Sequence, residues 1–222
     1  FLRYAGVCAL APLRVLFACM GGSVSRRNER VLEWVVNKVT TEYADDVCLL
    51  VVYGSHVNRM EGPLSDVDFY YVPASARADE LCKTYIIEGV GYDLFPIDWR
   101  RLEGLAAVNE PLLPLLGDGV IAYCRSEEDG ARFAELQATL RQNLANATYM
   151  HGKAVAAVTR AAAAGRKMRA AADLGECRLH AGRVLLELAD ALAYANQTYY
   201  RRGLKGQYTD LAIMPHKPDG FS

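Results

Sequence analysis

The most constraining feature of this chain is a glycine-serine turn between an apolar segment and a pair of aspartates. The segment 51–53 is apolar and rich in valine, Gly54 and Ser55 follow it, and ten residues separate Ser55 from Asp66 and then Asp68. A strand rises about 3.3 Å per residue and its side chains alternate between two faces. If the second segment is also a strand, the two carboxylates lie about 6.6 Å apart along it and point to the same side.

Two acids on one face repel each other and lose hydration, so a sequence usually places them there when a divalent cation lies between them. A Gly-Ser turn has no bulky side chain and lets the backbone approach a phosphate closely. The combination predicts metal-assisted phosphoryl or nucleotidyl transfer. The alternative is structural: Asp66 would cap a turn and Asp68 would face solvent on an edge strand. That alternative explains each acid singly, but not why two acids on the same face sit among the apolar residues Val67 and 69–71.

Composition excludes several classes of protein. The chain has 222 residues, 52% of them hydrophobic and 23% charged, with a formal net charge of −1. These values are typical of one large or two small domains with a real core, without general attraction to nucleic acid or anionic membrane. Six cysteines occur singly without a C-x-x-C pair, which argues against structural zinc and favours a reducing cytoplasm. The apolar stretch 10–20 is too short to span a bilayer.

The pattern along the chain predicts an α+β protein with a small mixed-sheet domain followed by an all-helical bundle. We expect residues 1–25 to form an N-terminal extension, 26–125 the catalytic domain and 126–222 the helical domain. Helical spacing predicts a helix over 26–43, and shorter ones are predicted at 76–82 and 99–108, the latter capped by Asp98. Apolar and β-branched runs predict strands at 47–53, 66–72, 84–88, 92–97 and 120–124. Three long helices are predicted at 127–145, 147–172 and 175–201, before an irregular tail.

The motif resembles that of the nucleotidyltransferase superfamily, which has the polymerase-beta-like fold. Its pattern is an apolar residue, Gly, then Gly or Ser, nine to thirteen residues, and Asp-x-Asp or Asp-x-Glu. The segment YGSHVNRMEGPLSDVDFYYV is most similar to the small-molecule branch, which includes aminoglycoside and lincosamide nucleotidyltransferases. The resemblance covers residues 47–97, and the remainder is similar only in having a helical C-terminal domain.

The resemblance implies specific roles. The turn at Gly54 and Ser55 would hold the β- and γ-phosphates of a nucleoside triphosphate, with ATP expected. Asp66 and Asp68 would bind one or two Mg²⁺ ions, and Asp93, in GYDLFPI, would be the third acidic ligand and catalytic residue. The metal would neutralise the triphosphate and activate an acceptor hydroxyl toward the α-phosphorus.

Other residues are weaker candidates. Arg59 has the charge and reach to contact the triphosphate. The resemblance also implies a base that accepts the proton of the substrate hydroxyl. Glu110 and Asp93 itself are the candidates for this base. Asp98 is also available as the third acid, although its place before Trp99 favours a helix cap. Basic residues of the helical half are expected on a solvated face, with nucleotide contact as the alternative: Lys153, Arg160, Arg166, Lys167 and Arg169.

The expected function is Mg²⁺-dependent transfer of a nucleoside monophosphate to a hydroxyl of a small molecule, such as an antibiotic. One alternative is an antitoxin-type nucleotidyltransferase that adenylylates a protein partner, and another is a catalytically idle nucleotide-binding module. No P-loop follows the glycines at 21–22, and no basic, aromatic stretch suits a nucleic-acid template. The resemblance implies a hydroxyl acceptor as partner and allows a second copy in a homodimer, whereas neither nucleic acid nor membrane is expected as a partner.

Overall fold

The computed structural model describes residues 23–54, 57, 65–201 and 203–218, without the side chains of 23–25, 204 and 205. The first described element is helix α1 (Ser23–Glu42), which confirms the helix predicted over 26–43. Val31, Val35 and Val39 recur every four residues along it and are buried. This spacing gives one apolar stripe along the helix, because residues four apart lie on the same face.

Five strands form one mixed sheet in the order β3-β4-β2-β1-β5. β1 runs antiparallel to β2 and β5, β2 runs parallel to β4, and β3 runs antiparallel to β4. The α+β class predicted from the sequence is thus confirmed. The bounds of the strands are Val47–Tyr53, Asp68–Pro73, Lys83–Ile87, Val90–Pro96 and Val120–Cys124 for β1 to β5.

The predicted bounds of β2, β3 and β4 differ from those in the structure. The second strand was predicted from Asp66, but β2 begins at Asp68 and its pairing with β1 starts at the Tyr53–Asp68 pair. The β3–β4 hairpin turns at Glu88 and Gly89, one position earlier than predicted. Both residues have positive φ, 51° and 76°, which is the requirement of a two-residue type I′ turn.

Short helices connect the strands. A 3-10 helix covers Ala76–Leu81, close to the helix predicted there, and α2 covers Trp99–Ala106. Asp98 caps α2, since its Oδ1 accepts a hydrogen bond of 2.7 Å from the backbone N–H of Arg101. A four-residue helix, α3 (Pro114–Gly117), lies in a segment for which the sequence predicted no element.

The core cluster shared with α1 lies on one face of the sheet, and the other face is also buried at Val51 and Tyr70. Val52, Phe69 and Leu94, from β1, β2 and β4, belong to the buried cluster that also contains the apolar stripe of α1. Val67, just before β2, belongs to it too and is fully buried. The residues between these core positions therefore face the other side of the sheet.

Three long helices follow the sheet: α4 (Glu127–Ala145), α5 (Ala147–Arg169) and α6 (Leu174–Ala195). The last two end earlier than predicted. Asp173 starts a new helix, because its Oδ1 accepts the N–H of Glu176 at 2.9 Å. The chain leaves α6 at Asn196 and Gln197, the latter with φ 53°.

The tail was predicted to be irregular, and this prediction is wrong. It contains a 3-10 helix (Gly203–Gly206) and helix α7 (Gln207–Ala212). Leu211 and Met214 are buried in a small apolar cluster with Ala193 and Tyr200.

The chain divides into two compact units. One contains the sheet, runs to Gly104 and includes Leu115–Gln137; the other comprises Leu105–Pro114 and the chain from Ala138 onward. Within the described ranges, no helix combines the length and apolar character needed to cross a bilayer. The described cysteines are all free thiols.

Candidate functional site

Gly54 ends β1 in a conformation that suits only glycine. Its φ is +80°, and a Cβ placed on it would overlap the carboxylate of Asp68, with 2.9 Å to Asp68 Cγ. A side chain here would be strained by the left-handed backbone and would push the carboxylate away. The structure thus brings Gly54 and Asp68, two residues predicted to belong to one site, into direct apposition.

Three polar side chains share the sheet face opposite the core. Tyr53 pairs with Asp68 across β1 and β2. The parallel register of β2 and β4 begins at Phe69 and Leu94, so Asp68 and Asp93 occupy the positions just before that pair. Because core and opposite-face positions alternate, Tyr53, Asp68 and Asp93 lie on the same face of three neighbouring strands.

Asp66 lies outside the strand ladder. It precedes Val67, whose side chain is fully buried in the core, and it is half-buried itself. The alternation of burial from 66 to 69 matches that of a strand, so Asp66 and Asp68 are both directed away from the core. The side to which they point agrees with the sequence argument, although the ladder starts two residues later than predicted.

Asp93 already has a partner within the sheet. Its Oδ1 accepts a hydrogen bond of 2.5 Å from the hydroxyl of Thr84, the residue opposite it on β3. The side chain of Asp93 is exposed. Its carboxylate is therefore oriented by a neutral hydroxyl at the solvent-facing side of the strand.

The pKa of the Tyr53 hydroxyl indicates which charges lie near this face. Burial raises the pKa of Tyr53 most, and the charges of Asp68, Asp66 and Asp93 raise it further, whereas the charge of Arg101 lowers it. All three predicted acids are therefore near enough to act on one hydroxyl. The local field is negative, with the guanidinium from the first turn of α2 opposing it.

The donor set fits a cation that arrives with its substrate better than a preformed metal cage. Within the described part of the chain, no group of three or more His, Cys, Asp or Glu side chains is arranged to hold a metal ion. Mg²⁺ is usually bound through one or two carboxylates together with substrate phosphates. Asp66 and Asp68, beside the side-chain-free turn at Gly54, match that arrangement, and the assignment of Asp66, Asp68 and Asp93 as ligands stays a prediction.

Several sequence candidates are not placed at this site. Ser55 and Arg59 lie outside the described residues. Glu110 belongs to the second unit, whereas Asp66, Asp68 and Asp93 belong to the first.

Two basic candidates in the second unit have structural partners. Lys153 donates to Asn109 Oδ1 at 2.9 Å, and Arg160 Nε donates to Glu187 Oε2 at 2.8 Å. These contacts account for both side chains without a nucleotide.

Sequence reasoning missed four residues around the acids. Tyr53 and Arg101 were assigned no role, although the Asp98 cap places Arg101 in the first turn of α2. Arg27 and Asn28 contact the backbone next to Asp66 from 37 or 38 residues away. A cap is a local signal that could have drawn attention to Arg101, whereas nothing local indicates the contacts from α1.

Comparisons with known proteins add little beyond this geometry. No family model and no curated protein matches the chain. Among solved structures, the chain is similar to a nucleotidyltransferase-like protein from Exiguobacterium sibiricum, with 11% sequence identity and a TM-score of 0.40. The match covers 86% of this chain and 63% of that protein, so the chain spans less than two thirds of its length.

Proposed function

We propose that this protein is a nucleotidyltransferase that transfers a nucleoside monophosphate from a Mg²⁺-bound nucleoside triphosphate, expected to be ATP, to a hydroxyl of a small molecule. The observation that carries the proposal is the apposition of Asp68 and the Gly54 turn on a sheet face that also presents Asp93. A carboxylate against a glycine turn allows a phosphate and a cation to approach the same point. Asp66 supplies a second carboxylate directed to the same side.

In this proposal each residue has one task. Asp66 and Asp68 bind the divalent cation that accompanies the nucleotide, and Gly54 leaves room for its phosphates. The bound cation would supply positive charge that stabilises the triphosphate as pyrophosphate leaves. Ser55 would donate a hydrogen bond to the same phosphates.

Asp93 is proposed to accept the proton of the attacking hydroxyl. Its carboxylate is exposed and oriented by Thr84, and it shares the face that carries Asp68. A general base must reach the hydroxyl directly or through one water. The negative field around Tyr53 also favours a cationic acceptor, which is consistent with an aminoglycoside-like substrate.

The experiment is a pyrophosphate-release assay with each nucleoside triphosphate against a panel of aminoglycosides and lincosamides. The expected result is Mg²⁺-dependent release that EDTA abolishes, with a product whose mass has increased by one nucleoside monophosphate. Omission of the acceptor is the control for simple hydrolysis. Tight nucleotide binding without turnover on any hydroxyl compound would instead indicate an idle binding module.

A further inference from the structure

The backbone carbonyl immediately before Asp66 is held by two side chains of α1. Arg27 Nη2 donates to the Ser65 carbonyl oxygen at 2.8 Å, and Asn28 Nδ2 donates to the same oxygen at 3.2 Å. These contacts connect a helix to a loop that lies nearly 40 residues further along the chain.

Tyr92 closes the network from the sheet. Its hydroxyl accepts from Arg27 Nε at 2.8 Å and donates to Asn28 Oδ1 at 2.8 Å. Asn28 and Tyr92 are both fully buried. Because Tyr92 occupies Oδ1 of the Asn28 amide, the Nδ2 donor is directed toward Ser65. A buried network whose members are satisfied in this way has one low-energy arrangement.

This network acts on the peptide group that leads into Asp66. The Ser65 carbonyl and the Asp66 nitrogen belong to one planar peptide group, so fixing the oxygen fixes the orientation of the bond that leads into Asp66. On the other side, the fully buried Val67 anchors the chain in the core. Asp66 precedes the first residue of β2, so its backbone is held between these two anchors.

We propose that Asn28 and Arg27 are positioning residues that hold Asp66 in the direction in which it binds a divalent cation together with Asp68. The inference rests on the proposed function, because it assumes a cation at these carboxylates. Partners that orient a metal ligand commonly contribute 10–100-fold to metal affinity. A network that only fastened α1 to the sheet would contribute to stability and not to cation binding.

The test measures Mn²⁺ binding by the loss of the free-ion EPR signal when protein is added to Mn²⁺ and a non-hydrolysable ATP analogue, relative to the same mixture without protein. We expect Asn28→Ala and Arg27→Met to weaken Mn²⁺ binding about tenfold or more. Arg27→Lys retains the charge with a single donor group, so it should fall between Arg27→Met and wild type. The matched control is Arg26→Met, because Arg26 is the exposed neighbour on the same helix.

Thermal unfolding of each variant separates the two roles. All binding measurements are made well below the unfolding temperature, and Arg27→Lys keeps the test decisive if Asn28→Ala does not fold. Lower stability with unchanged Mn²⁺ affinity in the Arg27 and Asn28 variants would overturn the inference and leave the proposed function intact. A wild-type protein that binds no Mn²⁺ with the analogue would overturn both.

Discussion

Replacing Gly54 by alanine tests whether the turn and the Asp68 carboxylate form one site. Two costs follow from the structure. The left-handed backbone costs an L-residue about 1–2 kcal/mol. The new Cβ also overlaps the carboxylate, which must leave its preferred position at a further cost of about 1 kcal/mol. We expect Gly54→Ala to lower the free energy of unfolding by about 2–3 kcal/mol, measured by urea denaturation.

Gly89 provides the matched control. Its φ is +76°, nearly that of Gly54, but a Cβ there meets no atom within 4 Å. Gly89→Ala should therefore cost only the backbone strain of about 1–2 kcal/mol. The difference between the two variants isolates the overlap with Asp68.

The same pair of variants also separates stability from binding. Gly54→Ala displaces a predicted metal ligand, so it should weaken Mn²⁺ binding with an ATP analogue by at least about tenfold. Gly89→Ala should leave that affinity unchanged. Equal losses of stability in the two variants, with equal Mn²⁺ affinities, would refute the argument that Gly54 is required by the position of Asp68.

Two further predictions concern stability. Burial and the Glu187 carboxylate raise the pKa of Asp190 to about 6. The folded state therefore binds this proton more tightly than the unfolded state, whose value is about 3.9, and stability falls as pH rises through that window. Asp190→Asn should flatten the fall, as urea denaturation at pH 4.5 and pH 7 can show; an unchanged profile would contradict the assignment. Tyr70→Phe removes the 2.9 Å hydrogen bond to the Leu115 carbonyl and should cost about 1–3 kcal/mol, whereas Tyr208→Phe, at an exposed side chain, should cost nothing measurable.

Local patterns in the sequence were sufficient to predict most of the sheet. β1 and β5 have the predicted bounds, because each is a short apolar run bounded by a glycine at one end and a charged residue at the other. The cap of α2 was also predictable, since Asp98 directly precedes an amphipathic segment. These elements depend on neighbouring residues alone.

The start of β2 and the setting of Asp66 depend on distant residues. Asp66 looks like part of a strand by alternation, yet its position is set by hydrogen bonds from Arg27 and Asn28 to Ser65. No local pattern carries that information. The helix in the tail was missed for a similar reason, because its burial depends on packing against Tyr200.

In the proposed function, Asp68 binds a divalent cation needed for nucleotidyl transfer. The most direct measurement compares the rates of Mg²⁺-dependent pyrophosphate release by wild type, Asp68→Asn and Asp79→Asn, with the same triphosphate and acceptor. Asp79 is an exposed aspartate in the 3-10 helix and serves as the matched control. We expect a loss of about 100-fold or more for Asp68→Asn and no change for Asp79→Asn. An Asp68→Asn variant that retains the wild-type rate would contradict this role of Asp68.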